Sequence, residues 1–202
     1  SMKTEAISKK GQIIANILSC PFGVGNSKFR YSQKAEYVDT VAFGLYRKDI
    51  FEKVGYFDET LRRNQDNDMH RRIREAGGRF YLNPEIKSVY YSRDSIKGMM
   101  KQGYLNGKWN IVTFCKDPSS LSIRHLIPLA FVCGILGCLI LGAFLNVFWY
   151  ILISVLILHL LLGVYFSTKK TKNLLEILMM PFLFLGLHIS YGIGSLLSIL
   201  SI

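Results

Sequence analysis

Two carboxylates stand two residues apart in the stretch RRNQDNDMHRRIREAGGRF, Asp66 and Asp68. Both fall where a helix opens. Met69, Ile73 and Ala76 share a face, Arg71, Arg72 and Glu75 point elsewhere, and Gly77-Gly78 ends the pattern. The first turn of a helix offers free N–H groups and the positive end of its dipole, so ionised carboxylates are favoured there. A carboxylate held that way and aimed into a cleft is a general base. The plainer reading is an acidic pair at a helix start, and spacing alone does not separate the two. Other chemistry is poorly served. There is no glycine pattern of dinucleotide or P-loop form. Cys20, Cys115, Cys133 and Cys138 show neither metal-ligand nor redox spacing and read as reduced, small apolar residues.

The elements around Asp66 alternate between strand and helix. Val38–Tyr46 alternates Val41, Phe43 and Leu45 with Thr40, Ala42 and Gly44, the pattern of a half-buried strand. Arg47–Val54 reads as a short helix stopped by Gly55, followed by a polar connection with Phe57 and Leu61 as anchors. Arg79–Leu82 and Ile86–Tyr91 are short strand candidates on either side of Asn83-Pro84. Ile13–Leu18 closes a helix before the turn-rich PFGVGNSKFR. Ser95–Cys115 returns to helical spacing, with Lys97, Lys101 and Lys108 among apolar residues, and is expected along a membrane surface. Together these predict part of an α/β domain that begins inside an α/β unit, which hints at a fragment.

The charges are segregated. The chain carries 25 Lys and Arg against 14 Asp and Glu, a net charge of +11, yet beyond residue 125 only Lys169, Lys170, Lys172 and Glu176 are charged. This excludes an ordinary soluble globule, a disordered chain and a disulfide-rich module. A spanning helix needs ~20 apolar residues, and Leu126–Leu145, Val147–Phe166 and Ile177–Leu200 meet that length. A buried soluble hairpin would carry a polar stripe. Asn146 sits at the turn between the first two spans, beside the boundary aromatics Phe148, Trp149 and Tyr150. Basic residues before the first span and between the second and third put the N-terminal piece on the cytoplasmic side. No cleavable signal peptide is visible. His159 and His188 lie inside spans without an acidic partner and read as packing residues. The basic balance is explained by topology, so no nucleic-acid partner is expected, and spans without charge do not suit a transporter.

The stretch VDTVAFGLYRKDIFEKVGYFDETLRRNQDNDMHRRIREAGG resembles the second half of the catalytic domain of family 2 glycosyltransferases, closest to the membrane-anchored bacterial succinoglycan-biosynthesis type. PFGVGNSKFR, KQGYLNGKW, DPSSLSIRHLIPLAF and HISYGIG are similar to that group in the same order. The resemblance implies a partial α/β domain of GT-A type over 1–92, an interfacial helix and linker over 93–122, and a membrane domain over 123–202. It implies Asp66 as catalytic base, with Gln65 in place of the usual acidic neighbour. Gly44 matches a loop that approaches the acceptor sugar. Gln102 and Trp109 correspond to the Gln and Trp of the Gln-x-x-Arg-Trp motif, with altered spacing and Lys108 where Arg would stand. Arg30, or the pair Arg71-Arg72, would face the leaving diphosphate, though solvated helix charges are the stronger reading for that pair. Asp68 joins these as a donor- or acceptor-binding candidate.

The expected reaction is inverting transfer of a sugar from a nucleotide-sugar to a glycan or lipid-linked acceptor, in exopolysaccharide or cell-surface glycan synthesis at the plasma membrane. The family's divalent cation, Mg or Mn, is held by an Asp-x-Asp on a strand end. Here Asp66-Asn67-Asp68 has that form but falls at the base position on a helix, so the cation's ligands are expected outside this chain. The competing expectation is a non-catalytic membrane module whose basic face binds anionic lipid or a partner subunit.

Overall fold

The computed structural model describes residues 2–25, 27–120 and 123–201. Asn26 of PFGVGNSKFR, and Leu121 and Ser122 of DPSSLSIRHLIPLAF, lie outside the described residues. The elements run β1 (Met2–Glu5), α1 (Lys9–Leu18), α2 (Pro21–Val24), β2 (Glu36–Val38), α3 (Lys48–Val54), α4 (Gln65–Glu75), β3 (Phe80–Leu82), β4 (Ser88–Tyr91), α5 (Ile96–Lys116), α6 (Ile127–Gly142), α7 (Val147–Thr168) and α8 (Leu174–Leu200). Helix dominates. The strands form two short pairs: β1 lies parallel to β4, and β2 lies antiparallel to β3 with Tyr37 opposite Tyr81.

The expected strand over Val38–Tyr46 does not form beyond Val38. Its partner β3 is three residues long, so the ladder ends there, and Phe43 takes a positive φ of 53°. Phe43 and Leu45, expected to point inward, are 74% and 99% exposed. Thr40 and Tyr46 turn inward instead, toward His70. His70 is fully buried, with Nδ1 2.7 Å from the Thr40 hydroxyl and Nε2 2.6 Å from the Tyr46 hydroxyl. Met69, Ile73 and Phe80 surround this pair with Val38, Val41, Ile50, Phe51 and Val54.

Burial pushes the His70 imidazole down to about 4, against the pull of the Asp66 charge. An exposed histidine in an unfolded chain titrates near ~6.5. Because the folded value lies lower, the neutral ring's contribution is fully present above about 6.5 and is lost as pH falls toward 4. Hydrogen-exchange protection of the α4 amides in detergent is therefore expected to weaken between pH 7 and pH 5 in the natural chain. In His70→Asn that slope should flatten; equal slopes would remove His70 as its source.

A second core joins the N-terminal helices to the apolar ones. Ile14, Ile17 and Leu18 of α1 pack with Cys20, Met99 of α5, and Met180, Phe184 and Leu187 of α8. Helix α5, expected to lie free along a surface, is instead buried against α8 along one face. Small residues allow it. A Cβ at Gly107 would fall on the Tyr191 carbonyl, one at Gly194 on the Tyr104 carbonyl, and one at Gly103 would stand 2.9 Å from Leu187 Cδ1.

Helices α7 and α8, of 22 and 27 residues, are long and apolar enough to cross a membrane. The first expected span is shorter than its apolar run. Helix α6 covers 16 residues, opening at the Ile127-Pro128 start and closing at Gly142, where the Trp149 ring fills the space a side chain would need and Trp149 Nε1 donates to the Gly142 carbonyl. At 1.5 Å per residue it spans roughly 24 Å, less than a ~30 Å hydrocarbon core.

Candidate active site

The start of α4 is built around Asn64, whose φ of 64° is left-handed, a conformation asparagine tolerates better than most residues. That turn brings Gln65 and Asp66 to the surface. Asp66 is exposed, and its Oδ1 accepts from the N–H of Asn67 at 2.9 Å. Its charge reaches Arg30, Tyr46 and His70. Among the described residues no arginine ion pair engages it, in contrast to Asp68.

Asp66 lies on the rim shared by two hollows. One, of about 600 Å³, is open and formed by the 57–65 connection, Gln65 and Asn106. The other, of about 540 Å³, runs from Asp66 and Asn67 past Arg30, Gln102 and Asn110 to Phe131, His159 and His188. Three unsatisfied polar atoms belong to residues lining this second hollow, one of them on His159. Arg30 Nη1 and Gln102 Oε1 are buried without a hydrogen-bond partner. Leaving such a group unpaired costs about 1–3 kcal/mol, and buried polar atoms in native proteins normally find a partner in protein, water or ligand. The Arg30 guanidinium is centred over Phe29 and Tyr90, 5.4 and 5.3 Å from the ring centroids. Burial lowers its pKa, while Tyr90 and Asp66 pull it back up; arginine stays charged regardless.

The floor of the second hollow is apolar except for a histidine pair. His188 Nε2 lies 2.9 Å from the Phe22 carbonyl, which only accepts, so this nitrogen donates. In the neutral ring Nδ1 is then an acceptor, and His159 Nε2, 2.9 Å away, donates to it. His159 Nδ1 is left as a buried acceptor without a partner.

The structure brings together Asp66, Arg30 and Gln102 in one hollow and Asp66 and Gln65 in the other. Gly44, Asp68 and Trp109 line neither. Gly44 is packed by Tyr46 and Val41 at 3.0 Å from where its Cβ would be. The Asp68 carboxylate is engaged on both oxygens, by Arg71 Nη2 at 3.2 Å and Arg72 Nε at 3.0 Å. Arg71 also pairs with Glu75 and Asp117, and Arg72 binds the carbonyls of Val54 and Tyr56, so this pair anchors local structure rather than facing a hollow. Asn106, Asn110 and Tyr191 were not singled out from sequence. A signal existed: Gln102, Asn106 and Asn110 recur every fourth residue, one polar stripe on an otherwise amphipathic helix.

A divalent cation does not fit these residues. Among the described residues no three His, Cys, Asp or Glu side chains converge to hold a metal, and Asp68 is committed to arginines.

Two curated proteins match the chain. It is 31% identical over 184 residues, 90% of its length, to the dolichyl N-acetyl-α-D-glucosaminyl phosphate 3-β-D-2,3-diacetamido-2,3-dideoxy-β-D-glucuronosyltransferase of Methanococcus voltae. It is 26% identical over 130 residues, 64% of its length, to the succinoglycan biosynthesis protein ExoA of Rhizobium meliloti (strain 1021). The chain is thus similar to glycosyltransferases of glycan synthesis. No family model matches it, and no solved structure does. The chain spans about half the length of these relatives or less, 54% of the first and 39% of the second. The succinoglycan-type likeness read from its motifs therefore has a counterpart in a named relative.

Proposed function

We propose that this chain is the acceptor-side and membrane portion of an inverting glycosyltransferase, which moves a sugar from a nucleotide-sugar to a lipid-linked acceptor in cell-surface glycan synthesis. The observation that carries this reading is the second hollow: it begins at an exposed carboxylate and ends at an apolar floor formed with helices long enough to cross a membrane. A polar reacting head and a hydrocarbon tail need that pairing of surroundings. The Methanococcus relative is named for a dolichyl-phosphate-linked substrate, in line with a lipid-linked acceptor over a free glycan.

In this reading Asp66 takes the proton of an acceptor hydroxyl while that oxygen attacks the anomeric carbon of the donor. The bond from that carbon to the diphosphate breaks on the opposite face, the configuration inverts, and Asp66 later releases its proton to water. Arg30, positively charged and unsatisfied at Nη1, supplies positive charge where the phosphate oxygens develop theirs. The α4 head faces the cytoplasm of a multi-pass protein, where nucleotide-sugars are made, in keeping with the basic residues that flank the apolar helices.

The test is product chemistry. Membranes containing the whole enzyme and a radiolabelled nucleotide-sugar are expected to yield label in an organic-extractable lipid fraction. Label found only in water-soluble glycan would overturn the lipid-linked reading.

A further inference from the structure

Three tie points hold the segment before Asp66, and all lead to α5. Lys116 Nζ binds Asp58 Oδ2 at 3.2 Å and also the Thr60 hydroxyl. Arg63 Nη1 donates to Asn106 Oδ1 at 2.9 Å. Asn64 Nδ2 donates to Asn110 Oδ1 at 2.7 Å. The last is the most informative. Asparagine at the residue before a helix normally turns its side-chain oxygen onto the helix's own free N–H groups. Asn64 makes no such bond; its side chain is drawn across to α5 instead.

Asn110 is itself held. It is 7% exposed, and its Nδ2 donates to the Tyr191 hydroxyl of α8. With the oxygen engaged by Asn64 and the nitrogen by Tyr191, both ends of its amide are held. Helix α5 cannot slide to relieve this, because Gly107 and Gly194 bring the α5 and α8 backbones into direct contact.

We propose that Tyr191 is a positioning residue for Asp66, acting through Asn110 and Asn64. The inference rests on the reading of Asp66 as base. The hydroxyl of an apolar helix fixes the amide of α5, that amide fixes the left-handed turn, and the turn aims the carboxylate. Displacement of the reacting group by about 1 Å is enough to cost ~10²-fold in rate, so a tie along the wall of the same hollow has leverage over turnover.

The variant that removes only the hydroxyl is Tyr191→Phe, made in the whole enzyme. Its kcat is expected to fall on the order of ten-fold or more, with donor KM unchanged and the fold retained. Amide exchange at residues 63–67 should quicken. Added to Asn110→Ala, Tyr191→Phe should lower kcat no further, because the two act along one line. Unchanged kcat in Tyr191→Phe, or losses that multiply in the double variant, would overturn the proposal. Its failure is separable from that of the base assignment. Asp66→Asn reports on the base, whereas exchange at 63–67 reports on the tie whether or not Asp66 is the base.

Discussion

Asp66→Asn is expected to lower sugar transfer by the whole enzyme by about 10²- to 10⁴-fold, the range a positioned general base contributes. Asparagine keeps the size of the side chain and its oxygen, so the bond from the Asn67 N–H survives and α4 should still start at Gln65. What is lost is the capacity to accept a proton. Among the described residues the carboxylate makes no ion pair, unlike Asp68, so its removal breaks no anchoring contact there. Membrane insertion and thermal midpoint should therefore match the natural enzyme while turnover collapses. A variant turning over at a near-normal rate would eliminate Asp66 as base. Asp68→Asn offers the opposite signature: loss of stability through Arg71 and Arg72, with activity falling only as the fold does.

The second large effect is expected at Gly107→Ala. The added methyl would land on the Tyr191 carbonyl and 2.9 Å from the Ser195 hydroxyl, and backbone cannot step aside as a side chain can. Helix α5 must then lift from α8, at about 1–3 kcal/mol for an overpacked interface. The thermal midpoint in detergent should drop, and activity with it, because Asn110 rides on the same helix. Gly134→Ala and Gly137→Ala are the controls: nothing lies within 4 Å of the new methyl at either position. Alanine also favours helix by about 1 kcal/mol over glycine. Those variants should melt at or above the natural chain. A Gly107→Ala protein as stable as the natural one would mean that the two helices are not in close contact.

Local punctuation made much of the head readable. Helix α4 is found where the period of Met69 and Ile73 and the Gly77-Gly78 stop place it, and α3 ends at Gly55, whose φ of 77° favours glycine. The apolar helices are equally plain, because each contains a long run free of charge. What failed depends on partners distant in the chain. Pairing of β1 with β4 joins residues 86 apart, which no local pattern announces. Alternation over Val38–Tyr46 looked like a strand, yet a strand needs a neighbour, and Thr40 and Tyr46 are drawn to a histidine thirty and twenty-four residues away. For the site, residue type and spacing put Asp66 in the first turn of a helix, where the structure has it. Asn106 and Asn110 give no such signal, because a polar stripe on an amphipathic helix looks like a solvated face until the opposing helix is known. Gly44 and Trp109 came from family likeness alone, and neither reaches a hollow.

The buried imidazole nitrogen of His159 gives the recess a chemical preference. A chain of pure hydrocarbon settling there would strand one lone pair against methylenes, a penalty of about 1–3 kcal/mol, or roughly ten- to a hundredfold in occupancy. A guest that brings an O–H to that depth, or a single water carried in with the tail, avoids it. In the proposed reading the recess therefore favours a guest that brings a hydrogen-bond donor to that depth.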